Sequence, residues 1–154
     1  MVLWVLLLAP LTPVFAVLPR DRMYGVAVFW ARGNLWLARV IAGLDHRVVG
    51  AERLPDGPVI FATKHQSAWE TIAFLVIGRP FSAILKRELQ WIPLYGWFLA
   101  KIGMVPIDRK AGRRALKKMV ARARQEIARG RCIWVAPEGT RVPPGETRPY
   151  HSGI

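Results

Sequence analysis

Short apolar runs alternate with segments of helical character from residue 46 onward, and this alternation restricts the possible folds more than any other feature. The strand-like runs are residues 47–50, 59–63, 81–85, 104–107 and 131–135. The helical segments between them are residues 68–77, 91–102 and 113–129. Strands that alternate with helices predict an α/β fold, here a layered mixed sheet with flanking helices.

The amino-terminal segment has a different character. Residues 1–19 are apolar and uncharged, but Pro10 and Pro13 interrupt the run. The basic region of a secretory signal is missing, and the prolines disfavour a regular spanning helix. We expect a membrane-embedded or re-entrant anchor, with a spanning helix as the alternative, followed over residues 23–44 by an interfacial amphipathic helix. The sequence thus predicts a membrane-anchoring segment with membrane-associated helices, residues 1–45, and one α/β domain, residues 46–154.

The net charge of +13 predicts a negatively charged partner, such as nucleic acid, anionic lipid or a phosphorylated substrate. The chain is also 53% hydrophobic and contains seven tryptophans, which favours the membrane interface. No basic, aromatic-interleaved platform for nucleic acid is visible, so we expect no nucleic-acid partner. Five arginines between residues 20 and 47 predict that the bulk of the chain is cytoplasmic.

The few cysteines and histidines restrict the kinds of site that this chain can form. The single cysteine, Cys132, excludes an intramolecular disulfide and is expected to be a small core residue. No Cys/His cluster has metal-ligand spacing, so we expect no metal site. His46 and His151 have no partner in sequence and are expected at the surface.

The third histidine, His65, lies between an apolar strand and a helix, where α/β proteins often contact ligands. An imidazole can accept a proton from a hydroxyl, and it is a better base when its other ring nitrogen is hydrogen-bonded to a carboxylate. Glu70 can supply that carboxylate only if His65 precedes the helix and Glu70 lies in its first turn, since five helical residues rotate by about 500°. The same residues form a capping box, with Ser67 as N-cap and Glu70 bonding back to its amide. The two roles of Glu70 compete for one carboxylate.

Two further segments place cations and turns at strand ends. Lys86 and Arg87 follow a strand and could dock a phosphate or carboxylate, although a solvated basic loop is the simpler interpretation. The strand before residue 136 enters a tight turn with Gly139, Thr140 and Arg141, whose donors suit phosphate oxygens. Without other context, this second segment is an ordinary turn.

The helix over residues 113–129 has one strongly basic face. A solvated face is the ordinary interpretation, and lipid headgroup contact is the second. The basic residues are Arg113, Arg114, Lys117, Lys118, Arg122, Arg124 and Arg129.

Taken together, these segments resemble the 1-acylglycerol-3-phosphate acyltransferase family, part of the glycerolipid acyltransferase superfamily. Its first block, a His, four residues and an acid, corresponds to His65 and Glu70, with Glu where Asp is usual. The third block, Pro-Glu-Gly-Thr-Arg, corresponds to residues 137–141. The second block, Lys-x-Glu-Leu…Pro…Gly, corresponds to Lys86, Glu88, Leu89, Pro93 and Gly96. The resemblance covers roughly residues 20–154. Three blocks that occur in the family's order are together a specific signal for the family.

The resemblance implies acyl transfer from acyl-CoA or acyl carrier protein to the free hydroxyl of 1-acylglycerol 3-phosphate, a lysophosphatidate. The product would be phosphatidic acid, and no cofactor would be needed. His65 would be the general base and Glu70 would orient it. The enzyme would act among membrane lipids, with its active site facing the cytoplasm. Substrate contacts would come from Ser67, Lys86, Arg87, Glu138, Gly139, Thr140 and Arg141.

Alternatives remain open at this point. The acceptor could be another lysolipid or glycerol 3-phosphate, and the chain could be a non-catalytic, truncated membrane-bound relative. The family's later block, an apolar strand ending in proline, does not follow residue 141. We therefore expect that the carboxyl-terminal part of the domain is missing.

Overall fold

Four helices and four strands alternate along the chain in the computed structural model, which describes residues 17–77, 79–108 and 111–151. The anchor expected for residues 1–19 lies, up to residue 16, outside this part. The elements are α1 (Arg20–Ala42), β1 (Ile60–Ala62), α2 (Trp69–Ile77), β2 (Phe81–Lys86), α3 (Tyr95–Lys101), β3 (Val105–Ile107), α4 (Gly112–Ala128) and β4 (Cys132–Val135). Short 3-10 helices lie at Ala51–Arg53 and Arg87–Trp91.

The strands form one sheet in the order β1-β4-β2-β3. All three pairings among the described strands are parallel, so the α/β prediction is confirmed and the prediction of a mixed sheet is wrong. The reason is that a helix follows each of the first three strands and returns the chain over the sheet before the next strand begins. The carboxyl ends of all four strands therefore meet at one edge.

The core lies on both sides of the central strand β4, whose four residues are all buried. Cys132 is 1% exposed, which confirms its expected place in the core. Met23, Tyr24 and Ala27 of α1 belong to the same buried cluster as Phe81, so α1 packs on the sheet domain. Among the described residues, no helix is both long and apolar enough to cross a membrane.

Two predicted elements differ from the structure. Residues 47–50 form no strand, because no neighbouring strand pairs with them, and Val49 is largely exposed. The helix predicted within residues 91–102, to begin after Pro93, is Tyr95–Lys101 and so is slightly shorter at both ends. Ile92 is held in an extended conformation before Pro93, and the backbone reaches helical geometry only after Leu94.

A buried carboxylate joins four elements at the amino-terminal edge of the sheet. The side chain of Glu126 on α4 is fully buried and accepts hydrogen bonds from Arg20 of α1 and Ser82 of β2. Arg131, just before β4, lies 3.6 Å from the same carboxylate and donates to Ser82 Oγ at 3.0 Å. Burial raises the pKa of Glu126, but Arg20, Arg129 and Ser82 outweigh this and lower the pKa overall. The carboxylate therefore stays charged.

We expect Glu126→Gln to destabilise the fold by about 3–5 kcal/mol, because removing one partner of a buried ion pair leaves the other uncompensated. Arg131 and Arg20 would then lack their counter-charge. The measurement is a denaturation curve of the detergent-solubilised protein. Gln125→Ala, at an exposed position of the same helix, is the control. Equal stability of the two variants would contradict a structural role for the carboxylate.

Candidate active site

The loop after β1 carries His65 to the carboxyl-terminal edge of the sheet. The amide of Thr63 donates to the carbonyl of Val135 at the end of β4, at 3.0 Å. The carbonyl of His65 accepts from the amide of Val142 at 2.8 Å. The loop is thus tied both to the central strand and to the segment that follows it, which fixes the backbone of His65.

Glu70 lies in the first turn of α2, which begins at Trp69, so the condition for pairing with His65 is met. Nδ1 of His65 is 2.6 Å from Oε1 of Glu70. Oε2 accepts from the hydroxyl of Ser67 at 2.6 Å, and the amides of Gln66 and Ser67 also donate to the carboxylate. One carboxylate therefore caps the helix and holds the imidazole at once. The two roles expected to compete are both filled, because Oε1 accepts from the imidazole and the amides of Gln66 and Ser67 while Oε2 accepts from the amide and hydroxyl of Ser67.

Glu70 is held in its charged form. Partial burial raises its pKa, but the hydrogen bonds from the Ser67 hydroxyl and amide and from His65 outweigh this and lower the pKa to about 2. An ionised carboxylate only accepts hydrogen bonds, so Nδ1 of His65 must carry a proton. In the neutral imidazole, Nε2 is then the unprotonated nitrogen, and it makes no hydrogen bond within the described residues. The arrangement can accept a proton at Nε2.

Trp134 supports the imidazole from the central strand. Its ring lies perpendicular to that of His65, with centroids 5.8 Å apart, and it also packs against Phe74 of α2. Trp134 is buried, and its Nε1 has no hydrogen-bond partner in the part of the chain that the structure describes. The sequence does not single out this residue. Its only signal is a tryptophan near the end of a strand whose carboxyl edge was expected to carry the site.

The turn after β4 has the geometry that its glycine allows. Gly139 has φ of +66°, in the region that side chains other than glycine rarely adopt. The neighbouring Glu138 is buried, and its Oε1 accepts from the amide of Arg148 at 3.1 Å and from Lys64 at 3.4 Å. Its Oε2 is buried without a partner. Glu138 thus anchors the loop with one oxygen, and its other oxygen has no partner among the described residues.

A cavity of about 340 Å³ lies beside this turn. Three of the predicted substrate contacts, Glu138, Gly139 and Thr140, line it, whereas Arg141 is exposed and does not. The sequence did not single out Arg148, and His151 was expected only as a surface residue. The remaining lining residues are Arg148, Pro149, Tyr150 and His151.

Lys86 and Arg87 lie at the same edge, at the end of β2, but Arg87 is engaged elsewhere. Its guanidinium pairs with Asp108, which follows β3, at 2.8 Å, and lies 5.3 Å from the centre of the Trp91 ring. Lys86 is exposed. Their contact with substrate stays a prediction.

Residues 45–154 match the protein family described as Acyltransferase. The chain belongs to the acyltransferase family. The resemblance carried by the three sequence blocks is thereby confirmed, and the acyltransferase residues His65, Glu70 and 137–141 lie inside the matched region.

Individual relatives show which acyltransferases the chain is similar to. The chain is 36% identical over 146 residues to 1-acyl-sn-glycerol-3-phosphate acyltransferase of Pseudomonas aeruginosa, which covers 95% of this chain and 55% of that protein. It is 34% identical to the protein of that name from Saccharomyces cerevisiae, covering 72% and 37%. It is 32% identical to lyso-ornithine lipid O-acyltransferase of Pseudomonas aeruginosa, covering 88% and 52%. The chain thus spans 37–55% of the length of these relatives.

A solved structure supports the fold. The crystal structure of the 1-acyl-sn-glycerophosphate acyltransferase PlsC from Thermotoga maritima matches with a TM-score of 0.65 and 26% identity. The match covers 86% of this chain and 51% of that one. The α/β architecture described above is therefore one that this family adopts.

We expect Glu70→Gln to lower stability by about 2 kcal/mol at neutral pH, because the low pKa of Glu70 means that its charged form favours folding. This contribution is complete above the ordinary pKa of 4.5 and is lost as the pH falls through about 2. The difference in melting temperature between wild type and variant should therefore be smaller at pH 3 than at pH 7. Glu52→Gln, at an exposed site, is the control. A difference that does not depend on pH would contradict the assignment.

Proposed function

We propose that this chain carries the catalytic centre of an enzyme that moves an acyl group from a thioester to the free hydroxyl of 1-acylglycerol 3-phosphate. The observation that carries the proposal is the pair of His65 and Glu70, which leaves Nε2 of the imidazole as an acceptor at the edge of the sheet. The names of the relatives and the cavity beside residues 138–140 support it.

The reaction needs one base and no covalent enzyme intermediate. Nε2 of His65 takes the proton of the acceptor hydroxyl while the hydroxyl oxygen attacks the thioester carbonyl. The tetrahedral intermediate collapses, the carbon–sulfur bond breaks, and the leaving thiolate receives the proton from the imidazolium. The products are a new ester and a free thiol. Glu70 stabilises the imidazolium and keeps the ring in place, as a carboxylate does in hydrolytic triads.

The glycerol phosphate binds in the cavity beside the turn at Gly139. Thr140 and Arg148 supply donors for the phosphate oxygens. Arg141 and Lys86, which do not line the cavity, are further predicted phosphate contacts. The unpaired, buried Oε2 of Glu138 is available to accept a hydrogen bond from a glycerol hydroxyl. Because a buried acceptor without a partner is costly, a ligand donor at this position would contribute to affinity.

The outer face of helix α1 supports a position of this centre at the membrane surface. One face packs into the core, whereas Phe29, Trp36 and Val40 are 75%, 62% and 62% exposed. Successive helix residues are about 100° apart, so these three lie within about 40° of one another on the outer face. The outer face combines these large apolar side chains with the exposed arginines Arg22, Arg32 and Arg39, a combination that suits the bilayer interface. The arginines near α1 favour the cytoplasmic side.

We expect His65→Ala to lower kcat by about 10²–10⁴-fold, the usual contribution of a general base. Glu70→Asp should keep measurable activity, since a carboxylate remains, and Glu70→Gln should lose most of it. Product formation from lysophosphatidate and acyl-CoA in detergent is the measurement, and His46→Ala is the control because His46 contacts Trp69 rather than His65. Equal activity of wild type and His65→Ala would exclude His65 as the base.

The acceptor itself needs a panel of substrates, because one relative is named for lyso-ornithine lipid. Lysophosphatidate, lyso-ornithine lipid and glycerol 3-phosphate would be compared at equal concentration. The proposal expects the highest kcat/KM with lysophosphatidate. Preference for another acceptor would leave the proposed acyl transfer in place but assign a different substrate. Binding to vesicles without any turnover would favour the alternative that the chain is a non-catalytic relative.

We expect the combined change of Phe29, Trp36 and Val40 to Ser to lower partitioning onto anionic vesicles by about tenfold or more, because each apolar side chain adds to interfacial binding. Vesicle flotation measures this directly. The same three positions changed to Leu keep the apolar face and are the control. Unchanged flotation of the serine variant would show that this face of α1 does not bind the membrane.

A further inference from the structure

A second and larger depression, of about 700 Å³, lies between the end of β3 and helix α4. We call it the basic groove. Its principal lining residues are Arg87, Met104, Pro106, Arg114, Lys118 and Arg122. Neither His65 nor the turn at Gly139 borders it, so it is a separate feature from the cavity described above.

Three cations form a row along the basic groove. Arg114, Lys118 and Arg122 are each four residues apart on α4, so neighbouring members are about 6 Å apart along the axis and within about 40° around it. All three are exposed, and no hydrogen bond or ion pair joins them to another described residue. Asp108, which also lines the groove, is paired with Arg87. The row therefore carries uncompensated positive charge.

This arrangement costs helix stability. Like charges four residues apart destabilise a helix, and an ordinary solvated face mixes both signs. Helix α4 contains one acidic residue, Glu126, four residues after Arg122; its side chain is fully buried and pairs with Arg20 and Arg129 rather than with the row. A row of exposed cations along a concave surface, whose one lining acid, Asp108, is paired with Arg87, is an arrangement that favours anionic ligands.

The groove also opens toward the catalytic edge. Because α4 returns from the end of β3 to the start of β4, its first turn, with Arg114, lies at the carboxyl-terminal edge where His65 lies. Strand β3 is three strand positions from β1, or about 14 Å at the usual spacing. The arm of coenzyme A between its thiol and its phosphates has about 13 bonds, and extends to about 15 Å if it is as stretched as a peptide strand. The two lengths agree.

We propose that the basic groove binds the phosphates of the coenzyme A portion of the acyl donor, with the thioester at His65. This inference rests on the proposed function and names its donor. The groove floor and rim favour a nucleotide over a lipid headgroup. Met104 and Pro106 provide apolar surface, and Trp91, largely exposed, already stacks with Arg87 at the rim. A headgroup on a flat membrane would need neither a concave site nor an aromatic ring.

The test compares two triple variants of α4 that remove the same charge. The groove variant combines Arg114→Ala, Lys118→Ala and Arg122→Ala. The control combines Arg113→Ala, Lys117→Ala and Arg124→Ala, three exposed cations about 120° around the helix that do not line the groove. Each protein is assayed with palmitoyl-CoA and with its 3′-dephospho form, and CoA binding is measured by calorimetry.

The groove variant should have a KM for palmitoyl-CoA about tenfold higher than that of wild type. Each exposed ion pair contributes little binding free energy by itself, but three together contribute enough for this change. Its KM for lysophosphatidate should not change. Wild type and control should prefer palmitoyl-CoA over the dephospho form, and the groove variant should lose this preference. Equal rises of KM in both triple variants would overturn the proposal. So would exclusive use of acyl carrier protein, or loss of vesicle binding with an unchanged KM.

Calorimetry separates this proposal from the proposed function. Tight CoA binding by wild type and control, but weak binding by the groove variant, supports the groove even if no acyl group is transferred. In that case the proposed function fails and the groove does not. Equal affinity of all three proteins for CoA would overturn the proposal that the groove binds CoA, whether or not acyl transfer is observed.

Discussion

Parallel pairing of every described strand is the constraint from which the site follows. Parallel neighbours require a crossover between them, and helices α2, α3 and α4 each follow one strand and precede the next. The carboxyl ends of the strands therefore meet at one edge. His65 after β1, Lys86 at the end of β2 and the turn after β4 are spread over more than 70 residues of sequence and still reach that edge.

The two edges of the sheet differ in what surrounds their buried carboxylates. At the amino-terminal edge, the carboxylate of Glu126 meets Arg20, Ser82 and Arg131, so its charge is compensated within the protein. At the carboxyl-terminal edge, Thr63 Oγ1, Trp134 Nε1 and Glu138 Oε2 are buried without a partner among the described residues, whereas Arg20 Nε is the one such atom at the other edge. Because buried polar atoms are ordinarily hydrogen-bonded, the three atoms near His65 are candidates for contact with a ligand or water.

Local sequence predicted local structure well. A capping residue and an acid three positions later located the start of α2, and this alone placed Glu70 in the turn where it reaches His65. Strand partners and strand direction could not be read in the same way, since pairing depends on distant segments. That is why a mixed sheet was expected, and why residues 47–50 were expected to be a strand. The role of Trp134 was hidden for a related reason: apolar patterning identifies a core aromatic but not what lies beside it.

The central claim is that Glu70 holds a proton on Nδ1 of His65 and so leaves Nε2 free to accept one. The chain has three histidines, and replacing His46 and His151 by Gln leaves His65 alone. Nitrogen-15 and proton NMR of this protein in micelles, with ¹⁵N-labelled histidine, reports which ring nitrogen carries the proton when the imidazole is neutral. We expect a protonated Nδ1 and an unprotonated Nε2. A proton on Nε2 with a bare Nδ1 would contradict it.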